Sequence, residues 1–220
     1  MSSLLLILLT GCAVNGDSGE QPPFEIAPRT LPAAALSQQL AERADQVEQL
    51  VVGTVVDIEY LAPDEVWPAA RAAVTWTVDP DHREADAETL TLRFGGGPVA
   101  NGRLMRMADI PLFNLGERDL LLVSSADGDP YCPLLGCTAG LIRLVDGGAY
   151  TARGGALALD EEGSLRAGPT EHLPELTTFD VAGMVLSFKG SDHPDLPRPA
   201  APLSEGELIH HVTAALGGNR

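Results

Sequence analysis

Three cysteines, five histidines and a scatter of carboxylates are the side chains of this chain that could do chemistry. The histidines are His82, His172, His193, His210 and His211. No H-E-x-x-H occurs among them, so no helical zinc clamp with its carboxylate base is encoded. His210 and His211 are adjacent, and neighbours on a helix point about 100° apart, which denies them a shared ion. Asp192, His193 and Asp195 in SDHPD lie in a Pro-rich stretch that would have to wrap around a metal, and a solvated linker is the expectation. The GGGP run from Gly95 to Pro98 has no following Gly-Lys-Ser/Thr and no helix to cradle a phosphate, so it reads as a hairpin turn. No G-x-S-x-G surrounds a serine, and Ser124-Ser125 ends a strand with no base in view. The acidic stretch Asp79, Asp81, Glu84, Asp86 and Glu88 lacks the ligand spacing of a calcium loop. Trp67 and Trp76 read as packing residues. No catalytic residue, no metal site and no cofactor is therefore expected.

Cys12 stands apart. It ends the apolar run Leu4 to Thr10, which is too short for a membrane span of about 20 residues but fits the apolar core of an export signal. The quartet Leu9-Thr10-Gly11-Cys12 resembles the lipobox of bacterial lipoproteins. The segment before it carries neither Lys nor Arg, which departs from the basic start of such signals. The resemblance implies that residues 1–11 are removed and that the Cys12 thiol receives a diacylglycerol. One acyl chain holds a protein marginally, whereas two or three hold it stably. Ala13 rather than aspartate after the cysteine points to the outer membrane. The alternatives are an ordinary signal peptide or a buried N-terminal strand.

With Cys12 lipidated, Cys132 and Cys137 remain as a pair in an exported, oxidising compartment. Pro133 and Gly136 can fold the intervening chain back, and a disulfide across so short a loop stabilises by about 2 kcal/mol. Two partly buried thiols are the alternative. The segment is not C-x-x-C, and a zinc site would need two further ligands.

The chain has 220 residues, with 31 acidic against 14 basic, a net charge of −17. Such a body repels nucleic acid. Residues 12–32 are Gly- and Pro-rich and read as a flexible tether. The apolar positions Leu36, Leu40, Ala44 and Val47 recur at helical spacing, which predicts a helix over 33–49. From Leu50 the period becomes two. VVGTVVDIEYL, AAVTWTV, TLTLRF, RLMRMADI, DLLLVSS, GLIRLV and AYTARGGALALD read as strands, with Gly53 marking a bend or bulge. Residues 161–203 are loop-like and Pro-rich, with an extra strand favoured at TFDVAGMVLSFKG. Ser204 and Glu207 form a capping box for a helix over 204–217, which Gly217 ends.

Many short strands with Gly-rich turns indicate a mainly β domain, a small antiparallel barrel or sandwich over 33–160 with a helix at each end. The segments VVGTVV, the strand ending in GGG, IPLFNLGERDLLLV and GCTAGLIRL resemble a class of exported bacterial proteins of unknown function. That resemblance implies an OB-like barrel followed by a C-terminal helix, and no activity. Within PLFNLGE, Phe113 can plug a barrel end, Gly116 can take positive φ, and Glu117 can cap or face water.

The expectation is a membrane-anchored lipoprotein of the cell envelope, non-enzymatic, presenting a binding surface to an envelope protein or a glycan. The alternatives are an envelope hydrolase, or an inhibitor or chaperone of a co-exported protease.

Overall fold

Strand β1 (Val47–Leu61) organises the domain because it is long enough to serve two partners. Its first half, Val47 to Thr54, pairs with β6 (Arg118–Ser124), and its second half, Gly53 to Leu61, pairs with β2 (Arg71–Val78). The computed structural model describes residues 36–65, 67–82, 87–99, 103–124, 131–170, 178–187 and 201–217. All of these fall in the unit Pro32–Arg220.

The remaining strands are β3 (Thr89–Gly95), β4 (Gly97–Val99), β5 (Arg103–Met105), β7 (Leu141–Val145), β8 (Gly148–Thr151), β9 (Gly155–Leu159), β10 (Leu165–Thr170), β11 (Thr178–Val181) and β12 (Met184–Ser187). Eight of the twelve form one antiparallel sheet in the order β10-β9-β8-β7-β6-β1-β2-β3. Two hairpins, β4–β5 and β11–β12, stand beside it. The fold is thus mainly β and antiparallel, as the alternation of apolar residues implies. Among the described residues no pairing joins β3 to β10, so the sheet is not closed into a barrel.

The sheet buries both faces where its strands are most apolar. On one face Val52, Leu120, Leu122, Ile142 and Leu144 meet Leu40 of helix α1 (Leu36–Glu42) and Leu208 and Val212 of helix α2 (Glu205–Gly217). On the other, Val51, Val55, Trp76, Phe94, Leu121 and Leu141 enclose Phe113, Cys132 and Leu134. Leu120, Leu121 and Leu122 are consecutive and fully buried. A strand covered on both faces reads as an unbroken apolar run, which is why DLLLV does not alternate.

The N-terminal helix is shorter than its periodicity implies. It ends at Glu42, a 3-10 turn covers Ala44–Gln46, and Val47 already belongs to β1, opposite Ser124. Val47 falls on the helical stripe by chance; its β-branched neighbours Val51 and Val52 pull it into the ladder. Residues 161–170 are not a loop: after a tight Asp160–Ser164 turn, β10 pairs with β9 at the sheet edge. Gly168 and Pro169 obscure that strand, yet proline is tolerated where one side of the ladder is open. The favoured strand at TFDVAGMVLS is a hairpin turning through Ala182 and Gly183, both at positive φ. Residues 188–200 lie outside the described residues.

The capping box forms as spelled: Ser204 donates its N–H and hydroxyl to Glu207, whose own N–H bonds the Ser204 hydroxyl. Arg118 then ties the first turn of α2 to the sheet, its guanidinium donating to both Glu205 and Asp79. Those two acceptors hold the Arg118 pKa above its ordinary value, hydrogen bonding to Glu205 being the largest cause.

Candidate interaction surface

The strand register sets one acidic and one basic side chain directly opposite each other inside the protein. Asp119 on β6 pairs with Arg143 on β7, and both are almost fully buried. On its other side Asp119 faces Gly53 of β1, which in turn faces Val78 of β2. Gly53 has no side chain to fill that row. The indole of Trp76 therefore reaches across β1, and its Nε1–H donates to Asp119 Oδ2 at 2.9 Å. A Cβ at Gly53 would lie 2.6 Å from the Thr77 carbonyl oxygen and 3.2 Å from Trp76 Cβ. The glycine expected to mark a bend or bulge permits a close approach between strands. The bulge itself lies between Val55 and Asp57.

Arg143 completes the network. Its guanidinium donates to Asp119 Oδ1 at 3.2 Å, to Glu117 Oε2 and to the Leu112 carbonyl. It also lies over the Phe113 ring, 5.1 Å from the centroid, with Phe179 at 5.9 Å. Phe113 packs in turn against Trp76 and Phe94, with centroids 5.3 and 4.7 Å away. Glu117 accepts the Asn114 backbone N–H and side-chain amide, so it caps the turn rather than facing water. Gly116 sits at φ +83°, a region that a side chain would strain. Its N–H bonds the Val55 carbonyl, and the Val55 N–H bonds the Glu117 carbonyl. The loop from Phe113 to Glu117 is thereby fixed to β1 from above and to Arg143 from below.

Burial pushes the Glu117 carboxyl above its usual range, opposed by Arg143 and reinforced by the neighbouring Asp119 charge. Asp119 is raised by burial as well, against the pull of Arg143 and Trp76. Two carboxylates share one guanidinium, so neither is fully compensated. A carboxyl with a raised folded pKa binds its proton more tightly folded than unfolded. Its share of stability is therefore greatest in acid and falls as pH rises from the ordinary glutamate value of 4.5 towards the raised one. Glu117→Gln should flatten the stability–pH curve across that window, as read from urea midpoints at a series of pH values. An unchanged slope would place the titration elsewhere.

Above this base the side-chain amide of Asn114 clamps another strand. Its Nδ2 donates to the Thr178 carbonyl and its Oδ1 accepts the Asp180 N–H, each at 2.9 Å. The hairpin β11–β12 turns Phe179 and Val181 inward over Phe113 and Arg143, and Asp180 and Val185 outward. Three apolar side chains on the elements joined by these bonds are left in water: Val56 in the bulge at 50 % exposure, Leu115 in the loop at 66 % and Val185 at 69 %. A cleft of about 310 Å³ runs along the same loop, walled by Asn114–Arg118 and Arg143–Asp146.

The residues singled out by sequence are distributed differently. Cys12 lies outside the described residues, as do His172 and His193. The sulfurs of Cys132 and Cys137 lie 2.13 Å apart, at disulfide distance. The loop they close is pinned to the sheet by Ser124 N–H to the Pro133 carbonyl and Leu135 N–H to the Leu122 carbonyl. His210 is exposed and stacks edge-on against His211. Among the described residues no three His, Cys, Asp or Glu side chains are placed to hold a metal ion. Gly95 ends β3 and Gly97-Pro98 begin β4, but these strands pair with β2 and β5 and not with each other, so GGGP links two sheets and is not the expected hairpin turn. Of the acidic stretch, Asp79 is paired with Arg118, and residues 83–86 lie outside the described residues.

Sequence reasoning passed over Asp119, Arg143 and Asn114. The signal for the first two was present: each is a charge, of opposite sign, next to or within an apolar run of a strand. No family model, curated protein or solved structure matches this chain.

Proposed function

We propose that this chain is an exported, lipid-anchored module of the bacterial cell envelope that binds a partner protein through the Val56–Leu115–Val185 surface and catalyses no reaction. The lipobox at Cys12 supports the anchor, and a cysteine pair at disulfide distance suits an oxidising compartment. The observation that carries the binding role is the exposure of three large apolar side chains on a base held by buried hydrogen bonds and ion pairs. Large apolar side chains left in water on hydrogen-bonded elements support a binding surface, and one continuous patch is what the proposal requires of them. Rigidity lowers the ordering cost of association. An envelope hydrolase is the second reading, because Glu117 lines the cleft with its carboxyl raised by burial.

The test uses the full chain recovered from detergent-solubilised envelope after cross-linking. Leu115→Asp should lose the proteins that the wild type captures, with its stability within about 0.5 kcal/mol because the site is exposed. Capture of the same proteins by both would overturn this surface. Cys12→Ser should move the chain from the membrane to the soluble fraction; retention in the membrane would remove the anchor.

A further inference from the structure

A second cleft, of about 430 Å³, opens between the β1–β2 loop and β3. Its wall holds Asp64, Trp67, Arg71 and Arg93, with Leu61 and Ala62 beside them. Two guanidiniums and one carboxylate line it, on a protein of net charge −17.

The loop is built to hold this set in place. Asp64 and Trp67 close a turn on each other, Asp64 N–H to the Trp67 carbonyl and Trp67 N–H to Asp64 Oδ1. Asp64 Oδ2 then accepts from Arg71 at 2.6 Å. Arg71 stacks under the Trp67 ring, 5.3 Å from its centroid. Tyr131, the residue before Cys132, packs edge-on against the same ring, and its carbonyl accepts the Gly95 N–H. Trp67 stays half-exposed despite these supports.

The two arginines are under-used. Arg71 is only 7 % exposed, yet among the described residues Asp64 is its one hydrogen-bond acceptor, and its buried Nε–H has none. A buried donor left without a partner marks Arg71 as incompletely satisfied within the protein. Arg93 is exposed and enters no ion pair among the described residues, although Glu59 is only one strand away across Ala73. Arg93 faces Ala73 in the ladder, diagonal to Arg71 on the same face of the sheet.

We propose that this cleft binds an acidic saccharide: the carboxylate of a uronic acid sits between Arg71 and Arg93, and its pyranose ring packs on Trp67. Planar guanidiniums recognise carboxylates through paired, charge-assisted hydrogen bonds. Apolar and charged side chains line the cleft in equal number, which suits the mixed ring face and polar edge of a sugar. The surrounding negative charge repels long polyanions, so the site takes a short oligosaccharide or a chain end.

The probe is tri-galacturonate titrated calorimetrically against the full chain in detergent, beside its methyl ester and a peptide ending in a free carboxylate. The acid form should bind, and the ester about tenfold more weakly or worse. Arg93→Ala and Trp67→Ala should each weaken binding by a similar factor; Arg93→Ala touches no described partner, so it should melt with the wild type. Equal binding of acid and ester, no binding of either, or an Arg93→Ala variant that binds like the wild type would overturn the site. Binding of the peptide as tightly as the saccharide would overturn the sugar assignment.

Discussion

Arg143→Met should destabilise the domain by about 3–5 kcal/mol at neutral pH, a large part of the stability of an ordinary domain. Methionine fills much of the arginine's volume, so the loss is not chiefly a cavity. It is electrostatic: Asp119 and Glu117 are left buried with no cation between them. Trp76 and Asn114 still donate to them, but neutral donors do not replace a charge. The sign of the pH dependence follows. Burial already raises both carboxyls, and removing the guanidinium, which lowers both, raises them further. The folded variant then holds protons more tightly than its unfolded chain, so its stability should recover as pH falls and decline as pH rises. Adding Asp119→Asn and Glu117→Gln should restore much of the loss at neutral pH, since a neutral network carries no unpaired charge. Urea denaturation at several pH values checks all three statements. An Arg143→Met protein within about 1 kcal/mol of the wild type at neutral pH would mean that the carboxylates reach water and the network is not a closed one.

Much of this architecture is written in periodicity. The alternation in AAVTWTV and TLTLRF places Trp76, Leu92 and Phe94 on one buried face, where they lie. The capping box at Ser204 and Glu207 needs only local geometry, and it forms. Errors arose where a local pattern had a tertiary rival. Val47 satisfies a helical stripe, but pairing with β6 outweighs it. Gly168 and Pro169 look like a loop, yet an edge strand has no second neighbour for a proline to disrupt. The interaction surface was less legible still. Val56, Leu115 and Val185 are far apart in sequence, and each alone is unremarkable. The elements that carry them are joined because Gly116 bonds Val55 and because Asn114 accepts and donates to β11. Such long-range hydrogen bonds leave no spacing to read. The charges in GLIRLV and RDLLLV were readable in principle, since a strand apolar on both faces leaves Arg143 and Asp119 no solvent side to occupy. Their pairing required the register that sets β6 against β7.

Gly53→Val should be strongly destabilising, and the reason is steric before it is conformational. The nearest atom to an added Cβ is the Thr77 carbonyl oxygen at 2.6 Å, part of the ladder itself and unable to rotate away. Trp76 Cβ, at 3.2 Å, is next. Relief requires β2 to move off β1 at the point where β1 passes from its β6 partner to its β2 partner. That shift also pulls the indole from Asp119. Overpacking costs about 1–3 kcal/mol, and a lost hydrogen bond to a charged group about 1.5–3 kcal/mol, so a loss of about 3 kcal/mol or more is expected. The two contributions separate in a double-mutant cycle. Trp76→Phe removes the donor while leaving Gly53 free, and should cost less than Gly53→Val. Gly53→Ala in that background should still destabilise, because the clash with Thr77 persists without the indole. If Gly53→Ala were silent once Trp76 was gone, the glycine would serve only to let the indole through. If Gly53→Val were tolerated in the wild type, the two strands would be further apart than the ladder requires, and the reach of Trp76 to the buried carboxylate would need another cause.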